Sequence, residues 1–133
     1  MIGTAALLFV GWCSTRPEAT PDEKRALLAK LDLPQTPEVV QVRTDDAYFK
    51  ATTKANCAGR YPTDFTLRGA CTRNAREGLR SYIQIWNASR DVPSFNDALK
   101  QCYANYTRGD VTDFSMVGAH ARNQVDGLRE TEN

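Results

Sequence analysis

Residues 63–80, TDFTLRGACTRNAREGLR, align without a gap on residues 112–129, TDFSMVGAHARNQVDGLR. Ten of the 18 positions are identical: Thr63, Asp64, Phe65, Gly69, Ala70, Arg73, Asn74, Gly78, Leu79 and Arg80 each recur 49 residues later. Background amino-acid usage gives about one identity in such a window. The chain therefore builds one supersecondary unit twice, and each copy needs a surface on which to bury its apolar face. The match reaches back, more weakly, to Cys57 and Tyr61 in the first copy and to Cys102 and Tyr106 in the second. From the cysteine to the Asp-Phe pair is seven residues in one copy and eleven in the other. The four extra residues fall around Arg108, Gly109 and Asp110, which have the composition of a turn.

The periodicity inside the unit is helical. Thr63 and Asp64 are cap residues, and Leu67, Ala70, Cys71, Gly78, Leu79, Tyr82, Ile83 and Trp86 follow at helical spacing. In the second copy Asp113 takes the cap position, and the stripe is Met116, Ala119, Gly127 and Leu128, with Val125 nearby. Each copy carries two glycines nine residues apart, Gly69 with Gly78 and Gly118 with Gly127. A glycine inside a helix costs about 1 kcal/mol relative to alanine, so the recurrence points to close helix approach. Thr44 and Asp45 can open a helix through Tyr48, Phe49, Ala51, Ala55 and Cys57. Ser94 to Asp97 has capping-box form ahead of Phe95, Leu99, Cys102 and Tyr106. Thr20 to Glu23 starts a short helix through Leu27, Leu28 and Leu31 that ends near Pro34. The expected fold is all-α, with two tandem helical hairpins stacked as a small antiparallel bundle and a short N-terminal helix across them. The helical domain is expected to span 22–133, with repeat 1 over 44–86 and repeat 2 over 94–131. No run of alternating strand residues stands out, and Val39, Val40 and Val42 are the only β-leaning patch.

Residues 2–12, IGTAALLFVGW, form an uncharged apolar run. A membrane-spanning helix needs about 20 such residues, whereas a run of about 7–15 fits the core of a secretory signal. No basic residues precede the run, no small-residue cleavage site follows, and Trp12 before Cys13 is too bulky for a lipoprotein site. Residues 1–13 are read as a signal or anchor segment, or as the tail of one that begins upstream. Residues 14–21 then form a Pro-containing linker. The alternative is a buried N-terminal strand or helix of a cytoplasmic protein. Export to the periplasm, or anchoring to the membrane through this segment, is the favoured location. Seventeen Lys and Arg against 16 Asp and Glu leave a net charge of +1, which gives the whole chain no bulk attraction to nucleic acid or anionic membrane. With 41% hydrophobic and 25% charged residues, the composition excludes a collagen-like, wholly disordered or multi-span membrane chain.

Cys57 and Cys71 flank the turn of the first hairpin, one near the end of a helix and the other in the second turn of the next. Facing helices put them at similar height, so a disulfide is the favoured reading. It would close a loop of about 15 residues, worth about 3 kcal/mol in the chain-entropy model. His120 stands where the second copy would carry the partner of Cys102. Buried free thiols are one alternative. A structural zinc site with Cys57, Cys71, Cys102 and His120 is another, but the spacing lacks a C-x2-C and the repeat puts the two halves on different hairpins. No metal and no cofactor are expected.

The segment Cys57, Tyr61-Pro62, Asp64-Phe65, Leu67, Cys71 resembles the unit of a class of small helical bacterial proteins. These are often exported and often duplicated, with a Cys, Trp-Pro, Asp-Phe, Met, Cys sequence in each unit. Here Tyr61 replaces Trp and Leu67 replaces Met, while the second copy keeps Cys102, Asp113-Phe114 and Met116 but lacks the Pro and the second Cys. The resemblance covers residues 57–71 and 102–120. It implies a helical fold and export, and carries no mechanism. Twin-cysteine helical hairpin proteins are a looser likeness, since they carry two cysteines on each helix.

Catalytic chemistry finds little material. His120 is the single histidine, and with Cys102 it could form a nucleophile pair, though no orienting motif accompanies it. Asp64 and Asp113 could act as paired acids, but helix capping explains both more simply. No phosphate-loop, dinucleotide, zinc-protease or nucleophile-elbow motif is present. Arg73, Arg76 and Arg80 follow one helix face and Arg122 and Arg129 repeat two of them, a candidate anion-binding face whose simpler reading is a solvated surface. The favoured expectation is a non-enzymatic, exported helical protein that binds another protein or an envelope component. A nucleic-acid-binding accessory protein using the arginines, and a small Cys/His hydrolase-like enzyme, are the alternatives.

Overall fold

The computed structural model describes residues 18–32 and 46–132; the fold is all-α, and among the described residues the only β-structure is one hairpin of two two-residue strands. Helix α1 (Pro21–Leu31) opens with a capping box: Thr20 Oγ1 accepts from the Glu23 amide, and the Glu23 carboxylate accepts from the Thr20 amide. Helix α2 (Ala47–Arg60) is capped by Asp46, which accepts from the amides of Tyr48 and Phe49. Thr44 and Asp45, expected to open this helix, lie outside the described residues, as do the apolar run, Cys13 and residues 14–17 of the linker. Helix α3 (Phe65–Ala88) has Asp64 as its N-cap, accepting from the Leu67 amide at 3.0 Å. Helix α4 (Pro93–Asn105) departs from expectation. Its N-cap is Val92, with no side-chain cap bond, and Ser94 lies within the helix. Pro93 starts the turn instead, because its fixed φ suits the first helical position and it has no N–H to satisfy.

The four-residue insertion seen in the second copy folds as antiparallel strands β1 (Thr107–Arg108) and β2 (Val111–Thr112), with Thr107 opposite Thr112 and Arg108 opposite Val111. Gly109 adopts φ 60° at the first turn position, where a two-residue hairpin turn favours glycine. Helix α5 (Phe114–Glu132) follows, with Asp113 accepting from the Met116 amide. Helix α2 holds the hairpin by hydroxyl contacts. Thr52 Oγ1 donates to the Asp110 carbonyl and accepts from the Thr112 amide, and the hydroxyls of Tyr48 and Thr112 are 2.7 Å apart.

The expected picture of two hairpins stacked in tandem needs refinement, because the most extensive interface joins the two repeated helices α3 and α5 directly. They run parallel: Gly78 meets Gly118, and Arg122 donates to Ser81 Oγ, so residues pair at offsets of 40 and 41. The copies repeat at 49, so they meet displaced by one glycine interval of nine residues, about 13 Å along a helix. The second glycine of copy 1 faces the first glycine of copy 2. A β-carbon on Gly78 would lie 2.7 Å from the Phe114 carbonyl carbon and 2.9 Å from Ser115 Cα, so the two backbones touch. Around this seam α2 runs antiparallel to α3, α4 returns beside α3 and α5, and α1 crosses both repeated helices with Leu27 buried among Ile85, Val92, Leu99 and Val125. The copy 2 stripe also differs from expectation. Met116 is exposed, and Phe114, Val117, Ala121 and Val125 are buried.

Candidate functional site

Helix α3 has 24 residues and its partner α2 has 14. Antiparallel pairing from the Cys57–Cys71 end brings Phe49 against Leu79, so α3 continues past the start of α2 with its apolar stripe intact. The overhang forms one wall of a cleft of about 840 Å³. Tyr82 and Trp86 stack in it with ring centroids 5.9 Å apart. Tyr103 from α4 lies 5.9 Å from Tyr82 and 5.8 Å from Phe114. Phe49 and Tyr48 close the α2 side against Phe114, at 5.4 and 6.4 Å. The cleft is thus lined by six aromatic side chains from four helices, and Asp46, Asn87 and Arg90 add polar groups to it.

The electrostatics favour neutral hydroxyl groups. Burial pushes the Tyr82 phenol up to about 12, helped by the neighbouring Cys102 and Tyr103. Burial likewise raises Tyr103. Both phenols stay protonated at any physiological pH, as hydrogen-bonding groups rather than bases. Tyr82 Oη makes a long contact to the Leu99 carbonyl, at 3.4 Å. Flat aromatic faces with a few fixed polar groups suit a ligand that is gripped.

The residues singled out from the sequence fall in several places. Cys57 and Cys71 form a disulfide with Cα atoms 5.7 Å apart. Cys102 is a free, fully buried thiol whose pKa is raised by burial, the reverse of the exposed, acidified environment that makes a cysteine reactive. His120 packs edge-on against Tyr106, and its Nδ1 is buried without a partner among the described residues. Among those residues, no group of three or more His, Cys, Asp or Glu is placed to hold a metal ion. Asp64 and Asp113 cap their helices, and Asp113 also pairs with Arg60 at 3.2 Å. The five arginines are dispersed. Arg129 pairs with Asp32, Arg122 reaches Ser81 across the seam, and Arg73 lies beside Gly69. Only Arg76 and Arg80 share a cavity wall. Among the described residues no helix is long and apolar enough to cross a membrane.

Reading the sequence for catalytic motifs passes over the aromatic cleft, because Tyr82, Ile83 and Trp86 look like ordinary core positions. The available signal is length: the stripe on α3 outruns the helix that pairs with it. Comparison with protein-family models, curated proteins and solved structures finds no match to this chain.

Proposed function

We propose that this protein is a non-enzymatic binding protein of the cell envelope that holds another protein through the aromatic cleft. The observation that carries this reading is the cleft itself, a cavity of about 840 Å³ with six aromatic side chains and with Asp46 and Arg90 in its lining. Aromatic anchors dominate the energetics of protein recognition, and a carboxylate and a guanidinium in the same cleft give orientation. The partner presents an apolar side chain to the rings and charges of both signs around it. The disulfide and the apolar run at residues 2–12 support an exported location, since disulfides persist in oxidising compartments.

The test is site-specific photo-crosslinking in living cells. A photoreactive residue at Asn87, in the cleft, is expected to give one discrete protein adduct, and the same group at exposed Gln101 is expected to give none. Trp86→Ala should abolish the Asn87 adduct. Equal adducts from both positions, or an adduct indifferent to Trp86→Ala, would remove the cleft as the binding site. Cell fractionation with thiol trapping tests the location, because a reduced Cys57 and Cys71 in the cytosolic fraction contradicts export.

A further inference from the structure

A second cleft, of about 530 Å³, lies between α2 and α3, with Phe49 lining both cavities. Lys50 and Lys54 are one turn apart on α2, and Arg68, Arg76 and Arg80 follow one face of α3. The Cys57–Cys71 disulfide joins the two helices, so the two basic faces meet, and among the described residues no carboxylate lines the space between them. Two of the five cations are engaged. Arg80 pairs with Glu77 at 2.7 Å, and the Arg68 guanidinium donates to the carbonyls of Tyr61 and Pro62. Lys50, Lys54 and Arg76 have no carboxylate partner among the described residues. Like charges at this spacing repel and weaken the helices that carry them.

A second observation comes from Thr53 in the same wall. It is only 3% exposed, and its Oγ1 has no hydrogen-bond partner among the described residues. Its neighbours show how such a hydroxyl is normally satisfied. Thr52 donates to Asp110 and accepts from Thr112, and Thr72 donates to the Arg68 carbonyl. A buried hydroxyl left unmet is destabilising, and so is an unrelieved cluster of cations.

We propose that this cleft binds the diphosphate group of a small soluble ester. A diphosphate carries about three negative charges near neutral pH, against four cations in the cleft that no carboxylate among the described residues neutralises: Lys50, Lys54, Arg68 and Arg76. Its oxygens accept charge-assisted hydrogen bonds from Lys50, Lys54 and Arg76 and supply the acceptor that Thr53 lacks. The cavity is larger than the diphosphate alone, which leaves room for an organic group against Phe49.

The experiment is calorimetric titration of the full, oxidised chain at constant ionic strength with inorganic pyrophosphate, orthophosphate and sulfate. Heparin and vesicles containing an anionic phospholipid serve as further arms. Pyrophosphate is expected to bind saturably and about tenfold more tightly than the other two ions. Lys54→Ala and Arg76→Ala should each weaken it about tenfold, and exposed Lys100→Ala should leave it unchanged. Thr53→Val keeps the shape and removes the unmet hydroxyl, so the protein should melt at the same temperature or higher while pyrophosphate binds about fivefold more weakly. Equal affinity for all three ions, unchanged binding by Thr53→Val, or binding of heparin or vesicles without pyrophosphate would overturn the proposal.

Discussion

Among the four repeated glycines, only Gly78 and Gly118 are fixed by their surroundings. A β-carbon at either runs into the backbone of the opposite helix, which cannot move aside as a side-chain tip can. Gly118→Ala is therefore expected to destabilise the fold by about 1–3 kcal/mol or more, as overpacking does. A β-carbon at Gly127 would meet nothing within 4 Å among the described residues, so Gly127→Ala should gain up to about 1 kcal/mol from helix propensity. Urea denaturation of the two variants checks this, and equal effects would mean that the glycines are inherited rather than required. Tyr82 makes a second residue-scale prediction. Its folded pKa of about 12 lies above its ordinary value of 10, so the folded state holds the proton that the unfolded chain releases. That contribution is intact below pH 10 and is lost as pH rises towards 12. Tyr103 and Cys102, also raised by burial, act in the same direction. Urea midpoints should fall between pH 9 and 11.5, and Tyr82→Phe should flatten that fall. An unchanged slope would remove Tyr82 from the account.

At the scale of elements, the two halves of the duplication are secured by different means. The first hairpin is cross-linked between Cys57 and Cys71, and the second is closed by a β-turn that α2 holds through Thr52 and Tyr48. Hydrogen exchange on the oxidised protein should find residues 57–86 protected more strongly than 102–129. Reduction should narrow the difference, since the cross-link of about 15 residues is worth about 3 kcal/mol. No change on reduction would mean that the bond contributes nothing to rigidity. The helices and this disulfide are legible in the sequence because they rest on local signals: Asp64 and Asp113 cap by hydrogen bonds three residues long, and Cys57 and Cys71 flank one turn. The hairpin at Thr107–Thr112 was legible only as an insertion, since strands of two residues have no periodicity to read. Both clefts were hidden for a different reason. Each depends on how far one helix outruns or slides past another, and that is set by the glycine seam and the disulfide.

For the whole molecule, identical residues in the two copies meet opposite surroundings. Phe114 is 4% exposed and touches the rings of Phe49 and Tyr103, whereas Phe65, its counterpart, is 77% exposed. Phe114→Ala should cost about 3–5 kcal/mol, while Phe65→Ala should stay within about 0.5 kcal/mol. Thermal melts of the two variants distinguish them, and similar losses would show that Phe65 is covered in solution. The displacement of nine residues between the copies explains the contrast and has a further consequence. Where copy 2 buries Val117, Ala121 and Val125, copy 1 carries Arg68, Thr72 and Arg76 at the equivalent positions. One copy acts as the receptacle and the other as the insert, so the duplication has become a division of labour. Not packed against the other copy, this leading face of copy 1 instead lines the second cavity with Arg68, Thr72 and Arg76. A chain rebuilt from two copies of either half would have two locks or two keys, and no pair that fits.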